Sequence, residues 1–182
     1  TLRKRWRPVG AGTRRGVIGA MPFQVALDRP SITIATSGSF VVVRFGATTI
    51  ADLDQMLKVQ LDVVKRHGHL TTLSLVPITG ETTKVSDEVK QKSVEITRAI
   101  GKQQLGSATA ILGTGIGATI LRTFMTGFNL LAKNPFPQKT FSDVREAHAW
   151  LSALPNQDDD VKKAKVDEML AVFKLGSTAK AA

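Results

Sequence analysis

The side chains that most often carry catalysis or bind metals are scarce in this chain, which has three histidines and no cysteine. His67 and His69 flank Gly68 and are spaced to share a metal, but no third ligand of a suitable type stands nearby. His148 lies beside Trp150 in a segment with a helical pattern, and we interpret it as a residue at the core boundary. The missing cysteines exclude a disulfide scaffold, thiolate-ligated zinc, an iron–sulfur cluster and a cysteine nucleophile. We therefore expect no metal and no cofactor.

The sequence also lacks the motifs that usually accompany catalysis by a serine nucleophile or by paired carboxylates. No Gly-x-Ser-x-Gly string is present to hold an activated serine on a strained turn. Asp158–Asp160 stand where a helix is predicted to begin, and Asp52 and Asp54 lie in the first turns of another, where the helix dipole favours acidic side chains. We interpret the first group as solvent-exposed and both groups as structural. The sequence therefore predicts that the chain is not an enzyme.

A glycine-rich segment, Gly113–Ala118, matches a loose form of the dinucleotide-binding pattern and lies between a predicted strand and a predicted helix. The pattern comes late in the chain rather than in the first strand-to-helix turn. No acidic residue follows about 20 residues on, where it would bind a ribose; that region reads Phe136–Lys139. Glycines here also serve to let a helix pack closely on a sheet, and we interpret the segment in that way.

The chain is strongly basic, with a formal net charge of +10 and a pI of about 10.2. Residues 1–20 hold six of the 25 basic residues and no acidic one, which leaves 19 basic against 15 acidic residues in the remainder. The excess charge thus belongs mainly to a basic N-terminal arm, which has too little apolar surface to fold alone. Its candidates for contact with a partner are Arg3, Arg5, Trp6 and Arg7.

Three interpretations of this arm stay open. In the first, its arginines bind the phosphates of nucleic acid or of anionic lipid while Trp6 stacks or inserts. In the second, it is a solvated tail that docks on a protein partner. In the third, it is translated sequence upstream of a natural start at Met21, where the first strand-like run begins. A secretory signal is not expected, since no apolar segment of the required length follows the basic residues.

One uncharged run, Gln103–Leu121, is 19 residues long and approaches the length that spans a bilayer. The run contains four glycines and several serine, threonine and glutamine residues. It divides into a strand-like part and the beginning of a helix near Gly115. The sequence therefore predicts no transmembrane segment, and we expect a soluble, cytoplasmic protein.

The apolar pattern switches from a strand period to a helix period early in the chain. Val41–Val43 form a continuous apolar run, which is typical of a strand buried on both faces. Thr49 with Asp52 is a weaker relative of the capping box and predicts a helix start, and Gly68 predicts the end of that helix. The helix between them has one apolar stripe. Its members are Ile50, Leu53, Leu57, Leu61 and Val64.

Strands and helices alternate along the remaining chain, which indicates an α/β fold with a mixed, mostly parallel central sheet, amphipathic helices and an additional C-terminal helix. We divide the chain into the arm at 1–20, an α/β domain at 21–155, and a C-terminal segment at 156–182. This last segment holds a helix with acidic residues at its start, followed by a frayed tail. The predicted strands are Phe23–Leu27, Ser31–Thr36, Phe40–Phe45, Leu70–Val76, Ser107–Leu112 and Lys139–Phe141. The helices are predicted to begin at Thr49, Ser86, Gly115, Ser142 and Val161, and the last runs to Leu175.

This order carries a family resemblance. The run Phe40–Phe45, a helix ending at His67-Gly68 and the run Leu73–Pro77 look like the beginning of a STAS-like domain. The closing segment Phe141–Leu151, with its Glu-Ala-x-x-Trp-Leu string, is similar to the last strand–helix unit of such proteins. The class comprises anti-sigma-factor antagonists and a related branch with a lipid pocket. The resemblance covers about Phe23 to Leu154 and implies a bacterial-type signalling or assembly function.

The resemblance does not extend to the phosphorylation site. Anti-sigma-factor antagonists carry an Asp-Ser-Ser-Gly-type string after the central strand, and no such string exists in this chain. The loop after Pro77 supplies other hydroxyls, and the turn after Leu112 is expected to open at the same end of the sheet. We predict that these two loops form an interaction surface. The residues concerned are Thr79, Thr82, Thr83 and Ser86 in the first loop, and Thr114, Gly115 and Gly117 in the second.

Three hypotheses of function follow from these patterns. The first is a non-enzymatic regulatory or scaffolding domain that acts through protein–protein contacts and self-associates. The second is a small-molecule or lipid-binding domain with a pocket between helix and sheet, lined by Phe124, Met125, Phe128 and Leu131. The third is binding of nucleic acid or an anionic membrane through residues 1–20.

Overall fold

The structure is a computed structural model, and it describes residues 21–78, 86–131 and 134–175. Strands and helices alternate through most of this part of the chain. The strands are β1 Gln24–Asp28, β2 Ile32–Ser37, β3 Phe40–Phe45, β4 Leu70–Pro77, β5 Gln104–Leu112 and β6 Gln138–Phe141. The helices are α1 Ile50–His67, α2 Asp87–Ile100, α3 Ile116–Leu131, α4 Val144–Ala153, α5 Asp159–Lys162 and α6 Val166–Val172.

The strands form one sheet in which spatial order follows chain order, from β1 at one edge to β6 at the other. The pairs β1–β2 and β2–β3 are antiparallel, whereas β3–β4, β4–β5 and β5–β6 are parallel. The predicted α/β class and the mixed, mostly parallel sheet are confirmed. In the part of the chain that the structure describes, no helix is long and apolar enough to cross a bilayer.

The crossovers from β3 to β6 all advance in the same direction across the sheet. Right-handed crossovers of this kind place their helices on a single face. Val41 and Val43 of β3 accordingly pack in one core with Leu53 of α1 and Ile96 of α2. We call this the crossover face of the sheet.

A second core covers the opposite face of the sheet. Phe40 and Val42 of β3 lie in it together with Leu151 of α4 and Met169 of α6. Successive residues of β3 therefore point into different cores, and Phe40, Val41, Val42 and Val43 are all fully buried. The predicted burial of this strand on both faces is confirmed.

The ends of α1 match the sequence prediction. The Thr49 backbone N–H donates to Asp52 Oδ2 at 3.0 Å, and the Asp52 backbone N–H donates to Thr49 Oγ1 at 3.3 Å, which completes the capping box. Burial raises the pKa of the Asp52 carboxyl, but hydrogen bonds from Thr49, Ser31 and Arg29 outweigh it and the net direction is down. Gly68 ends the helix with φ of 81°, the left-handed conformation that favours glycine.

Several predicted boundaries were wrong. Asp143, rather than Ser142, caps α4, because its carboxylate accepts from the backbone N–H groups of Arg145 and Glu146. Strand β5 begins at Gln104, three residues earlier than predicted. The single last helix is instead α5 and α6, separated near Ala164.

The division of the last helix follows from its buried positions. Val161 and Ala164 are buried, and the next buried side chains are Met169 and Leu170. Met169 comes five positions after Ala164, and that step does not return to the same face of a continuous helix. A break after Lys163 restores the orientation, so that α5 and α6 both face the core.

Candidate functional site

The crossover face of the sheet is not fully covered by its helices. Two adjoining chambers lie between α1, α2, α3 and the strands, with volumes of about 380 and 410 Å³. We call them the outer and the inner chamber. Six residues line both: Phe45, Leu53, Val76, Ser93, Thr109 and Met125.

The outer chamber lies where β3, β4 and β5 end. Val76 of β4 and Ile111 of β5 are paired across the sheet and form its floor. Val89 of α2 and Leu121 of α3 contribute apolar walls. Ser86 stands at its rim, where its hydroxyl accepts from the Val89 backbone N–H and caps α2. The outer chamber is therefore mainly apolar.

The floor of the inner chamber is polar. Thr72 is paired with Ser107 across β4 and β5, and Ser74 is paired with Thr109 two residues further along. Because alternate residues of a strand share a face, these four side chains form a compact group on the crossover face. We call this group the hydroxyl block. All four residues line the inner chamber.

Carboxamide groups surround the hydroxyl block. Gln104 accepts from the Thr72 hydroxyl at 3.5 Å and donates to the Gly106 carbonyl at 2.7 Å. Asn134 donates to Gln138 on the β6 side of the chamber. Gln60 enters from the middle of α1 and is only 3% exposed, yet its Oε1 has no hydrogen-bond partner within the described part of the chain. A buried acceptor without a donor costs about 1–3 kcal/mol of stability. A hydrogen-bond donor next to Gln60 Oε1 would therefore be favourable.

The chambers are almost free of charge. Arg98 is the one ionisable side chain found among the described residues that line them, and it is exposed. Within residues 21–78, 86–131 and 134–175, no group of three or more His, Asp or Glu side chains is placed to hold a metal ion. What the described lining offers to a ligand is therefore apolar contact and neutral hydrogen bonding.

The two predicted loops both leave the sheet at the carboxyl ends of neighbouring strands, β4 and β5. Pro77, the last residue of β4, is paired with Leu112, the last residue of β5, in a parallel register. Thr114, Gly115 and Gly117, which follow β5, are exposed at this end of the strands. Ser86 lies at the rim of the outer chamber. The other predicted interaction residues, Thr79, Thr82 and Thr83 with Arg3, Arg5, Trp6 and Arg7, lie outside the described residues.

Of the four α3 side chains predicted to line a pocket, the structure places one, Met125, in the chamber lining. Met125 lines both chambers. The side chains of Phe124, Phe128 and Leu131 lie outside what the structure describes. Leu121, one turn before Met125, lines the outer chamber and was not among the predicted residues.

His69 and His148 have structural partners at other places in the fold. His69 Nε2 lies 2.7 Å from Asp158 Oδ2, which also accepts from the Ser39 hydroxyl at 2.5 Å. Asp158 is therefore not merely a solvated helix-start residue, because the fold brings its carboxylate against His69, which directly precedes β4. His148 Nε2 lies 2.8 Å from the Val161 carbonyl oxygen, and its ring packs near Phe40.

The hydroxyl block had a signal in the sequence. A parallel sheet covered on both faces favours continuous apolar strands. Thr72, Ser74, Ser107 and Thr109 instead alternate with apolar residues in two strands that both lie inside the sheet. That alternation marks a polar stripe beneath the crossover helices.

Comparisons of the chain with models of protein families, with curated proteins and with solved structures found no match.

Proposed function

We propose that this chain is a non-enzymatic binding domain whose ligand, a small and largely apolar molecule, occupies the two chambers between the crossover helices and the sheet. The observation that carries the proposal is the open space itself, because protein interiors are otherwise close-packed. Each chamber lies within the range of about 300–1,000 Å³ usual for ligand sites. Apolar walls with a few polar groups are the usual lining of such sites.

The position of the chambers supports the same conclusion. In many α/β folds the ligand site is built from the loops at the edge of the sheet where the carboxyl ends of parallel strands lie. The outer chamber reaches that edge, between the ends of β3, β4 and β5. Its rim includes Ser86, next to the loop that the sequence singled out. A ligand entering there passes first along apolar walls and then meets the hydroxyl block.

A bulky side chain at Ser93 tests the proposal. Ser93 lies on α2, is exposed and lines both chambers. We expect Ser93→Trp to weaken binding of the neutral apolar dye Nile red by about tenfold, because the indole occupies space that the dye needs. Fluorescence titration of the purified full chain measures this change, and denaturing mass spectrometry shows whether a ligand is carried through purification.

Ala99→Trp is the matched control. Ala99 lies on the same helix, is exposed and does not line either chamber. The control variant should bind the dye as the unmodified chain does. Absence of dye binding together with an empty mass spectrum would refute the proposal, as would equal affinities for Ser93→Trp and Ala99→Trp.

The family proposal stays with the STAS-like class. The order of strands and helices from β3 to α4 supports it, as does the pocket between helix and sheet, since one branch of that class has a lipid pocket. The absence of an Asp-Ser-Ser-Gly string keeps the phosphorylation switch out of the proposal. Signalling through a protein partner remains the regulatory role that the resemblance implies.

A second candidate function is contact with another copy of the chain. Ile116 is 81% exposed and Ile120 is 63% exposed, one turn apart at the beginning of α3. They directly follow the Thr114–Gly115 turn that the sequence predicted as an interaction surface. Neighbouring exposed isoleucines of this kind are typical of contact surfaces.

Self-association through α3 predicts a dimer that Ile116→Ser with Ile120→Ser disrupts. We expect the dissociation constant to rise at least about tenfold, since the lost apolar burial is worth more than 1.4 kcal/mol. Sedimentation velocity over a range of concentrations measures it. Leu61→Ser on α1, which is 45% exposed, is the control and should leave the dimer intact. A chain that is monomeric at every concentration, or a dimer that tolerates the double variant, would rule this contact out.

A further inference from the structure

We infer that the ligand is a neutral amphiphile whose head group donates a hydrogen bond to Gln60 Oε1 in the inner chamber while its apolar tail lies in the outer chamber. The inference rests on the proposed function and adds the chemical class of the ligand and its orientation. It depends on three features: the orphaned acceptor of Gln60, the hydroxyl block facing α1 across the chamber, and the near absence of charge.

Gln60 is the first of these features. The residue is 3% exposed, and its Oε1 has no hydrogen-bond partner among the residues that the structure describes. Burial of such an oxygen is unfavourable because its hydrogen bonds to water are lost without replacement. A ligand O–H or N–H group at this place supplies the missing donor. An ester or ether oxygen would only add a second acceptor.

The hydroxyl block gives the head group its second set of partners. Thr72, Ser74, Ser107 and Thr109 line the same chamber as Gln60. A hydroxyl both donates and accepts, so this floor can satisfy a head group that itself does both. An alcohol or a primary amide has that property. A hydrocarbon without a head group would displace water from this floor without replacing its hydrogen bonds.

The scarcity of charged side chains in the chambers argues against ligands with an ionised head group. Arg98 is the one ionisable side chain among the described residues lining the chambers, and it is exposed. A carboxylate or phosphate head group would therefore leave water without gaining a buried cation. Moving an unpaired ion into such surroundings is strongly unfavourable. The pair of chambers thus selects against fatty acids and phosphorylated amphiphiles in favour of uncharged ones.

The orientation follows from the two linings. The polar groups lie in the inner chamber, whereas Val89, Ile111 and Leu121 make the outer chamber apolar. A tail that stays near the strand ends is covered by apolar side chains, and the head group reaches the polar floor beneath α1. The opposite orientation would lay the apolar tail on the polar floor and leave Gln60 Oε1 without a donor.

Three probes with one chain length separate these effects. They are n-decanol, its methyl ether, which keeps the acceptor and lacks the donor, and decanoate, which is ionised at neutral pH. Isothermal titration calorimetry of the full chain should show n-decanol bound about fivefold more tightly than the ether, the value of one neutral hydrogen bond. Decanoate should bind at least about tenfold more weakly than n-decanol.

Gln60→Leu provides the matched variant, since leucine replaces the carboxamide by apolar atoms of similar size. We expect it to fold with equal or greater thermal stability, because the orphaned oxygen is gone. It should bind n-decanol and the methyl ether equally, whereas the control Gln91→Leu, exposed on α2, should keep the fivefold preference. The loss of preference in one variant alone would assign the donor's partner to Gln60.

The outcomes separate the inference from the proposed function. If Nile red binds and is blocked by Ser93→Trp, but decanoate binds as tightly as n-decanol, the chambers hold a ligand and the neutral head group is wrong. If Gln60→Leu retains the preference for n-decanol over the ether, Gln60 is not the acceptor and the inference fails. If neither the dye nor any of the three probes binds, the proposed function itself fails.

Discussion

We expect Phe40→Ala to lower the free energy of unfolding by about 4 kcal/mol, within the range for truncating a fully buried phenylalanine. Phe40 begins β3 and is 0% exposed. Its ring centroid lies 5.9 Å from that of Phe23 and 6.0 Å from that of His148, so it joins the sheet to α4. Removing the ring takes apolar surface out of the core and leaves a space that its neighbours fill only in part.

Urea-induced unfolding followed by circular dichroism measures this loss. Phe141→Ala is the matched control, because Phe141 is only partly buried on the short edge strand β6 and lies beside Trp150. The control should lose clearly less stability than the Phe40 variant. Similar losses in the two variants, or a loss below about 1 kcal/mol for Phe40→Ala, would contradict the central position assigned to β3 between two cores.

The fold was predictable because local and long-range signals agree in it. The run Phe40–Phe45 has the apolar continuity of a strand covered on both faces, and the structure buries its first four residues completely. Thr49, Asp52 and Gly68 set the ends of α1 through contacts within a few residues. Such signals do not depend on what the rest of the chain does.

Features that join distant residues were not predictable from pattern. The chambers depend on how far α1, α2 and α3 stand from the sheet, and no periodicity encodes that distance. Gln60 reads as one more polar residue on an amphipathic helix, and its burial is known only when α2 and the sheet are placed around it. Asp158 and His69 are 89 residues apart in sequence and meet only in the folded chain.

That Asp158 contact gives the second large effect. We expect Asp158→Ala to lower the free energy of unfolding at neutral pH by about 2 kcal/mol, because the carboxylate accepts charge-assisted hydrogen bonds from Ser39 and His69. The side chain is 36% exposed, so solvent screening keeps the loss at the lower end of the range for such contacts. Loss of a helix cap adds nothing, since its side chain makes no capping hydrogen bond to α5.

The pH dependence of this loss has a definite sign. Burial raises the pKa of the Asp158 carboxyl, but the hydrogen bonds from Ser39 and His69 outweigh it, and its net pKa is lowered. The unfolded chain therefore binds more protons than the folded chain between the two pKa values. The contribution of Asp158 is fully present above the unfolded pKa of about 4 and is lost as the pH falls through the lower, folded value.

The test compares unfolding free energies of the unmodified chain and Asp158→Ala from pH 7 down to the acid range. The difference between the two curves should shrink as the pH falls below about 4. Asp159→Ala is the control, because Asp159 is the adjacent carboxylate and its ion pair with Lys163 is at the surface. A double-mutant cycle with His69→Ala should give a coupling energy of about 1 kcal/mol. A difference that grows with acidification, or zero coupling to His69, would show that Asp158 does not hold the start of α5 against the beginning of β4.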